Sequence, residues 1–209
     1  EDPRRQRQMC IRDSVYILPY GRDLIGISWF DWLRSEDGPL EWIQFIEYAI
    51  SSILALSIYA RTKRKKNINS IIWLLIAFLS FVIAGEEISW GERITGIGIN
   101  SISDINVQGE TNFHNLPFFH NYLLDPIFEI SCIFLGWFGW RKFKNIKAFP
   151  SKDLSLYFLF VALFYFYFDL SWASTTQQIR NDQEIFEFLL STGIFLHCYK
   201  NFKKLDFVG

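Results

Sequence analysis

The sequence predicts an all-α protein, a polytopic membrane helical bundle with about five transmembrane helices and an interfacial helix at its N-terminal side. Half of its residues are apolar, and 19% are aromatic, including 22 Phe and 8 Trp. Five apolar runs follow one another, each near the ~20 residues that cross ~30 Å of hydrocarbon. Alternate connections between the runs are basic, which is typical of a chain that crosses a membrane repeatedly.

The N-terminal region divides into two parts. Residues 1–14 contain the string RQMCIRDS, which resembles translated sequencing adaptor, so we interpret them as a non-native or disordered leader. Residues 15–39 mix aromatic side chains such as Trp29 and Trp32 with acidic and basic ones, which favours an interfacial helix in the headgroup layer. Pro39 then starts the first apolar run.

A single transmembrane domain is predicted over residues 40–205. Backbone groups in lipid must be satisfied within the segment, so each apolar run is expected to be a helix. The predicted helices cover about residues 40–60, 70–90, 121–140, 154–173 and 184–199.

Charge predicts the orientation of these helices. The first and third connections and the C-terminal tail carry thirteen Lys or Arg, whereas the second and fourth carry only Arg93 and Arg180. Basic connections stay in the cytoplasm, so we expect a bacterial cytoplasmic (inner) membrane protein with its N-terminus outside and its C-terminus inside. The basic run at residues 61–66 is then a contact to anionic membrane lipids, and no nucleic-acid role is expected.

Acidic residues recur at helical spacing in the outward half of each predicted helix. In the first helix, Gln44, Glu47 and Ser51 fall on one face. The other helices carry Glu86, Glu87, Asp125, Glu129, Asp169, Glu184 and Glu187. A charge at mid-membrane costs roughly 2.5–3.5 kcal/mol, which favours a shared polar chamber inside the bundle. The alternative is that the acids nearest the helix ends, such as Glu41, Asp125 and Glu184, reach the headgroups.

The segment at residues 84–115 carries the chemistry-bearing residues. We identify Glu86, Glu87, Glu110 and His114 as candidate catalytic residues, because a carboxylate can activate water while an imidazole transfers the proton. Glu87, Glu110 and His114 also have the ligand types of a divalent metal site. Supporting positions are Arg93, Asn115, Asp169 and Glu187.

The geometry of that segment depends on whether residues 106–115 are helical. If they are, Asp104 caps the helix and Asn106, Glu110 and His114 share one face at four-residue intervals. The alternative is a structural polar network that ties the loop to the helices.

The pattern GEEISWGERI followed by NVQGETNFHN, within residues 85–115, resembles a group of uncharacterised multi-pass bacterial membrane proteins. This resemblance implies a membrane location and no particular activity. The paired glutamates and later histidines are also similar to those of intramembrane CAAX-type proteases. That family has Glu-Glu-x-x-x-Arg, whereas Gly91 stands at the arginine position here and Arg93 comes two residues later.

Three functions are compatible with these features. The first is a membrane-embedded hydrolase or transferase that acts on a lipid or another amphiphile, with or without a divalent metal. The second is a proton- or cation-coupled transporter, since acids within a membrane are typical of ion pathways. The third is a non-catalytic structural or assembly protein whose polar stripes specify helix packing.

Overall fold

The computed structural model describes residues 26–33, 35, 38–63, 67–119, 123–169 and 177–206. The side chains of residues 27, 125, 168, 169 and 177–182 lie outside this description, as do the predicted leader and most of the predicted interfacial region. The described residues form helices and irregular connections without a strand, so the all-α prediction is confirmed.

The helices follow the predicted apolar runs closely. In chain order they are α1 Ile27–Leu33, α2 Pro39–Thr62, α3 Ile68–Glu87, α4 Glu92–Thr95, α5 Asn100–Ser103, α6 Leu124–Ile133, α7 Trp140–Lys142, α8 Ser155–Asp169 and α9 Gln177–Asp206. A π-helical turn, Phe134–Gly139, joins α6 to α7, and 3₁₀ turns cover Ser89–Gly91 and Lys152–Leu154. The second run ends three residues before its predicted end, and the fifth helix begins before residue 184.

Two helices are long and apolar enough to cross a membrane, α2 with 24 residues and α3 with 20. At 1.5 Å per residue they extend about 36 Å and about 30 Å. The described part of α8 has only 15 residues, and the start of α9 is polar. The prediction of about five spans is therefore not confirmed by helix length and composition.

The helix α2 turns a largely polar face toward the protein interior. Its buried residues are Glu41, Gln44, Tyr48, Ser51, Ala55 and Ile58, spaced three or four apart. The opposite face exposes Ile43, Ile46, Ile50, Ile53 and Leu56. A water-soluble helix buries its apolar stripe and exposes its polar one. The reverse arrangement in α2 is typical of a helix whose outer face contacts lipid.

Five helices pack side by side, namely α2, α3, α6, α8 and α9. The helix α2 lies between α3 and α9, and α8 contacts both α9 and α6. One apolar cluster joins α6, α8 and α9 around Phe158 and Tyr165, and a second joins α2, α3 and α9 around Ile58 and Trp73. Close contact between α8 and α9 depends on Gly193, because a Cβ there would lie 2.9 Å from Cβ of Tyr157.

The basic ends of the helices meet at the same end of the bundle. The guanidinium of Arg61, in the last turn of α2, lies 4.8 Å from the ring centre of Phe202 in α9. The backbone N–H of Ala148, in the connection before α8, donates to Asn69 near the start of α3 (3.3 Å). The Ala148 carbonyl accepts a hydrogen bond from Nε2 of His197 in α9 (3.0 Å). The connections rich in Lys and Arg therefore lie together.

Candidate functional site

At the opposite end of the bundle, the chain makes a sharp turn directly after α3. Ser89 and Trp90 adopt left-handed backbone conformations, with φ of 47° and 53°. Such conformations cost roughly 1–2 kcal/mol per non-glycine residue and persist only where other contacts compensate. The Ser89 hydroxyl donates to Glu110 (2.5 Å), and the Trp90 indole N–H donates to Glu86. A Cβ on Gly85 would lie 2.9 Å from the Trp90 ring, which explains the glycine before the two glutamates.

Glu86 joins this turn to the loop at residues 106–115. One of its carboxylate oxygens accepts hydrogen bonds from the backbone N–H groups of Phe113 (2.7 Å) and His114 (2.9 Å). The Nδ1 atom of His114 lies 3.1 Å from the same oxygen. Since the other oxygen accepts from Trp90, both oxygens of Glu86 take part in holding the loop against the end of α3.

Glu110 occupies the centre of the loop contacts. Besides Ser89, it accepts a hydrogen bond from the side-chain amide of Asn112 (2.9 Å). Its carboxylate also forms an ion pair with Arg93 at 3.3 Å, and Arg93 forms a second ion pair with Glu41 in the first turn of α2. Arg93 therefore connects α2, α4 and the loop.

The loop is held in an irregular conformation by its own amides. The side-chain amide of Asn106 donates to both the carbonyl and the side-chain oxygen of Asn112, each at 2.8 Å. The amide of Asn115 donates to Gln108, and the Asn115 carbonyl accepts from the N–H of Val107 (2.9 Å). Side chains that bond to nearby backbone in this way compete with helix formation.

The conditional prediction of a helix over residues 106–115 is therefore wrong, and so is the single face of Asn106, Glu110 and His114. Gly109 has φ of 76°, outside the right-handed helical region. Asp104 ends α5 and does not begin a helix. Glu110 and His114 therefore do not share a helix face. Glu110 contacts Ser89 in the turn after α3, whereas His114 contacts Glu86 in the last turn of α3.

A second group of acids lies deeper, between α2, α3 and α9. Glu87 interacts electrostatically with the acids Glu41, Glu86 and Glu187 and with the guanidinium of Arg93. Glu184 interacts with Glu41, Glu87 and Glu187. Glu187 accepts a hydrogen bond from the Tyr165 hydroxyl in α8 (2.8 Å). Glu87 makes no hydrogen bond or ion pair within 4 Å to any residue that the structure describes. We call Glu41, Glu87, Glu184 and Glu187 the interior acids.

Gln44 lies beside the interior acids and is fully buried. Its side-chain N–H donates to the carboxylate of Glu184 (3.1 Å). Its side-chain oxygen accepts no hydrogen bond from the described residues. A buried amide oxygen without a donor costs about 1–3 kcal/mol, so this position favours a bound proton donor or cation next to Glu184.

Glu47 lies one helical turn further along α2 and has its own partners. Its carboxylate accepts hydrogen bonds from the hydroxyls of Ser191 (2.6 Å) and Thr192 (3.1 Å) in α9. The polar stripe of Gln44, Glu47 and Ser51 thus faces α9 along two turns. These contacts orient α9 against α2.

The candidate residues from the sequence therefore separate into two groups. Glu86, Glu110, His114, Arg93 and Asn115 belong to the loop network, and Glu87 and Glu187 belong to the interior acids. Within the described part of the chain, no three His, Cys, Asp or Glu side chains are placed to hold a metal ion together. The side chain of Asp169 lies outside the described residues.

Among the members of these networks that sequence reasoning missed are Ser89, Asn112 and Tyr165. Ser89 and Asn112 are neutral, although both stand within the two glutamate-rich strings that suggested the site. Tyr165 stands in an aromatic run where a hydroxyl partner for Glu187 could not be distinguished from a packing residue.

Comparisons of the chain with protein-family models, with curated proteins and with solved structures find no match.

Proposed function

We propose that this chain is an integral membrane protein whose interior acids bind protons or a small cation, as in a proton- or cation-coupled carrier. The observation that carries the proposal is the electrostatic interaction among Glu87, Glu184 and Glu187, which come from two helices and form no ion pair with a basic side chain that the structure describes. Arg93, the nearby guanidinium, is already engaged by Glu41 and Glu110.

Charge balance supports a cationic ligand. Burying an ionised carboxylate without a partner costs several kcal/mol, so carboxylates in such surroundings hold protons or attract cations. The unsatisfied oxygen of Gln44 belongs to a side chain that bonds to Glu184, and it is a suitable acceptor for a bound water, a protonated carboxyl or a cation. An alkyl or neutral polar ligand would leave the excess negative charge in place.

We further propose five membrane spans in a bacterial cytoplasmic membrane. The outward apolar face of α2 and the lengths of α2 and α3 support a membrane location. The common location of the basic helix ends supports a cytoplasmic position for them and an outward position for the turn after α3. The interior acids then lie near the outer surface.

We favour this function over a membrane-embedded hydrolase or transferase. Two of the carboxylates proposed for catalysis, Glu86 and Glu110, are occupied by backbone amides, a serine hydroxyl and a guanidinium. A general base must have a lone pair directed at the proton that it removes. The carboxylate lone pairs of Glu86 and Glu110 already accept hydrogen bonds that hold the loop.

The proposal is tested by ion flux into liposomes that contain the purified full chain. Internal pH is followed with a trapped pH-sensitive dye after a proton gradient is imposed, and Na⁺ and K⁺ gradients are compared in turn. We expect wild-type liposomes to dissipate at least one gradient faster than protein-free liposomes. We expect Glu87→Gln and Glu187→Gln to lose most of that flux, because each removes one ionisable group and keeps the side-chain shape.

Asp104→Asn is the matched control, since Asp104 is an exposed acid at the end of α5. This variant should retain wild-type flux. Equal rates in wild-type and protein-free liposomes for all three ions would overturn the carrier proposal. If the glutamine variants lost flux and also unfolded at a lower temperature than wild type, the interior acids would instead have a structural role.

A further inference from the structure

The segment after α3 exposes aliphatic side chains to an unusual degree. We call residues 90–119 the cap segment. Ile97 is 80% exposed, and Ile94 and Ile105 are each 61% exposed. Ile99, Val107, Phe113 and Phe118 are also about half exposed or more. Single exposed apolar residues are ordinary, but so many within thirty residues mark a surface that contacts another apolar phase.

Three charged side chains of the cap segment, those of Glu92, Arg93 and Glu110, are bound to other parts of the protein. Glu92 accepts a hydrogen bond from the backbone N–H of Thr111 (2.6 Å), and Arg93 and Glu110 form an ion pair with each other. Asp104 is the exposed acid of the cap segment. Apart from Asp104 and the partly exposed ring of His114, the outer surface of this segment is therefore apolar or neutral, whereas a loop in water normally exposes its charges.

The exposed surface of the cap segment continues that of α3. Phe81, which is 59% exposed on α3, has its ring centre 6.2 Å from that of Trp90. The ring centre of Trp90 lies 6.4 Å from that of Phe113 in the cap segment. These three partly exposed rings form one aromatic surface that runs from the helix onto the loop. Tryptophan is enriched at the depth where hydrocarbon meets the headgroups.

We propose that the cap segment lies in the interfacial layer of the outer leaflet, with its aliphatic side chains inserted among the lipids. The partner is a lipid surface. This inference rests on the membrane location proposed above. It adds a second contact with the bilayer, in which the cap segment lies parallel to the membrane surface. An insertion depth of roughly 5–10 Å fits, because the irregular backbone of this segment still requires water or headgroup partners.

The experiment measures the environment of a fluorophore at three positions in the full chain, reconstituted in phosphatidylcholine–phosphatidylglycerol vesicles. An environment-sensitive fluorophore is attached to Ile97→Cys in the cap segment, to Leu75→Cys on the exposed face of α3, and to Asp104→Cys. Quenching by lipids brominated at defined acyl positions is compared with quenching by aqueous iodide.

The labelling background is Cys10→Ser. The native thiols Cys132 and Cys198 are both fully buried and are not expected to react. The same background without an introduced cysteine serves as the labelling control. Thermal unfolding in detergent checks that each labelled variant keeps the wild-type fold.

We expect the Leu75 probe to be quenched by bromine deep in the acyl chains and the Ile97 probe by bromine near the headgroups. The Asp104 probe should be quenched mainly by iodide. A lipid-quenched Leu75 probe with an iodide-quenched Ile97 probe would overturn the inference and leave the membrane location intact. Iodide quenching of the Leu75 probe would overturn both. A blue-shifted Ile97 probe that neither quencher reaches would indicate a protein contact and would also overturn the inference.

Discussion

The guanidinium of Arg93 forms an ion pair with the carboxylate of Glu41, which lies 52 residues earlier in the chain. Their side chains are only 14% and 10% exposed. Since Arg93 also binds Glu110, it links the first turn of α2 to a loop that lies far from α2 in the sequence. This contact joins the cap segment to Glu41, one of the interior acids.

Replacing Arg93 should therefore destabilise the protein. We expect Arg93→Gln to cost about 3 kcal/mol, because removing one partner of a largely buried ion pair leaves the other charges uncompensated. The measurement is the free energy of unfolding of purified protein in detergent. Lys142→Gln, at an exposed basic residue of α7, is the control and should stay within about 0.5 kcal/mol of wild type. An Arg93 variant as stable as the control would contradict this role.

Removing the carboxylate of Glu86 should release the loop from α3. In Glu86→Ala, we expect faster hydrogen exchange at the backbone amides of Phe113 and His114, since both lose their acceptor. Exchange is measured by mass spectrometry on the folded protein. His114→Ala is the comparison, because it removes the ring and retains both amide contacts. Equal exchange at these amides in wild type and Glu86→Ala would refute the contact.

Enlarging Gly193 should separate α8 from α9. We expect Gly193→Val to cost about 1–3 kcal/mol, because the added Cβ would lie 2.9 Å from Cβ of Tyr157, a position that no rotamer change can move. Gly139→Ala is a milder comparison, since its Cβ would meet its nearest neighbour at 3.3 Å. Both are compared by thermal unfolding in detergent. A fully tolerated valine would show that the two helices do not approach this closely.

The ion pair of Asp153 and Lys200 should give a small pH dependence at the basic end. The hydrogen bond from Lys200 holds the pKa of Asp153 at about 2, below its ordinary value of 3.8. A lowered pKa means that the pair stabilises the folded state above about pH 4 and loses that contribution as the pH falls toward 2. Because both side chains are substantially exposed, we expect less than about 1 kcal/mol. Asp153→Asn should flatten this part of the pH profile, and an unchanged profile would argue against the pair.

Several features were accessible from the sequence because they depend on local patterns. The apolar runs predicted where α2, α3, α6, α8 and α9 lie, since run length and three- or four-residue spacing are properties of a single helix. The inward direction of Gln44 and Ser51 also followed from spacing. The prediction of a helix over residues 106–115 failed for a local reason as well, because the side chain of Asn106 bonds to the backbone of Gln108 and Asn112 and so competes with helix formation.

The roles of the glutamates were not accessible in the same way. Glu86 and Glu87 are adjacent and chemically identical, so no pattern distinguishes them. In the folded chain, Glu86 holds the loop whereas Glu87 faces Glu187 in the interior. The hydrogen bond from Gln44 to Glu184 joins residues 140 positions apart, and one sequence carries no signal for a pair at that separation.

By itself, the sequence determined that this protein is helical, where its long helices lie, and that acids collect toward one end and basic residues toward the other. These features could be predicted because helix periodicity and charge distribution are properties of the linear sequence. Only the tertiary structure decided which carboxylate holds the loop and which faces the interior. That assignment depends on which helices pack together, and packing brings together residues that the linear order keeps far apart.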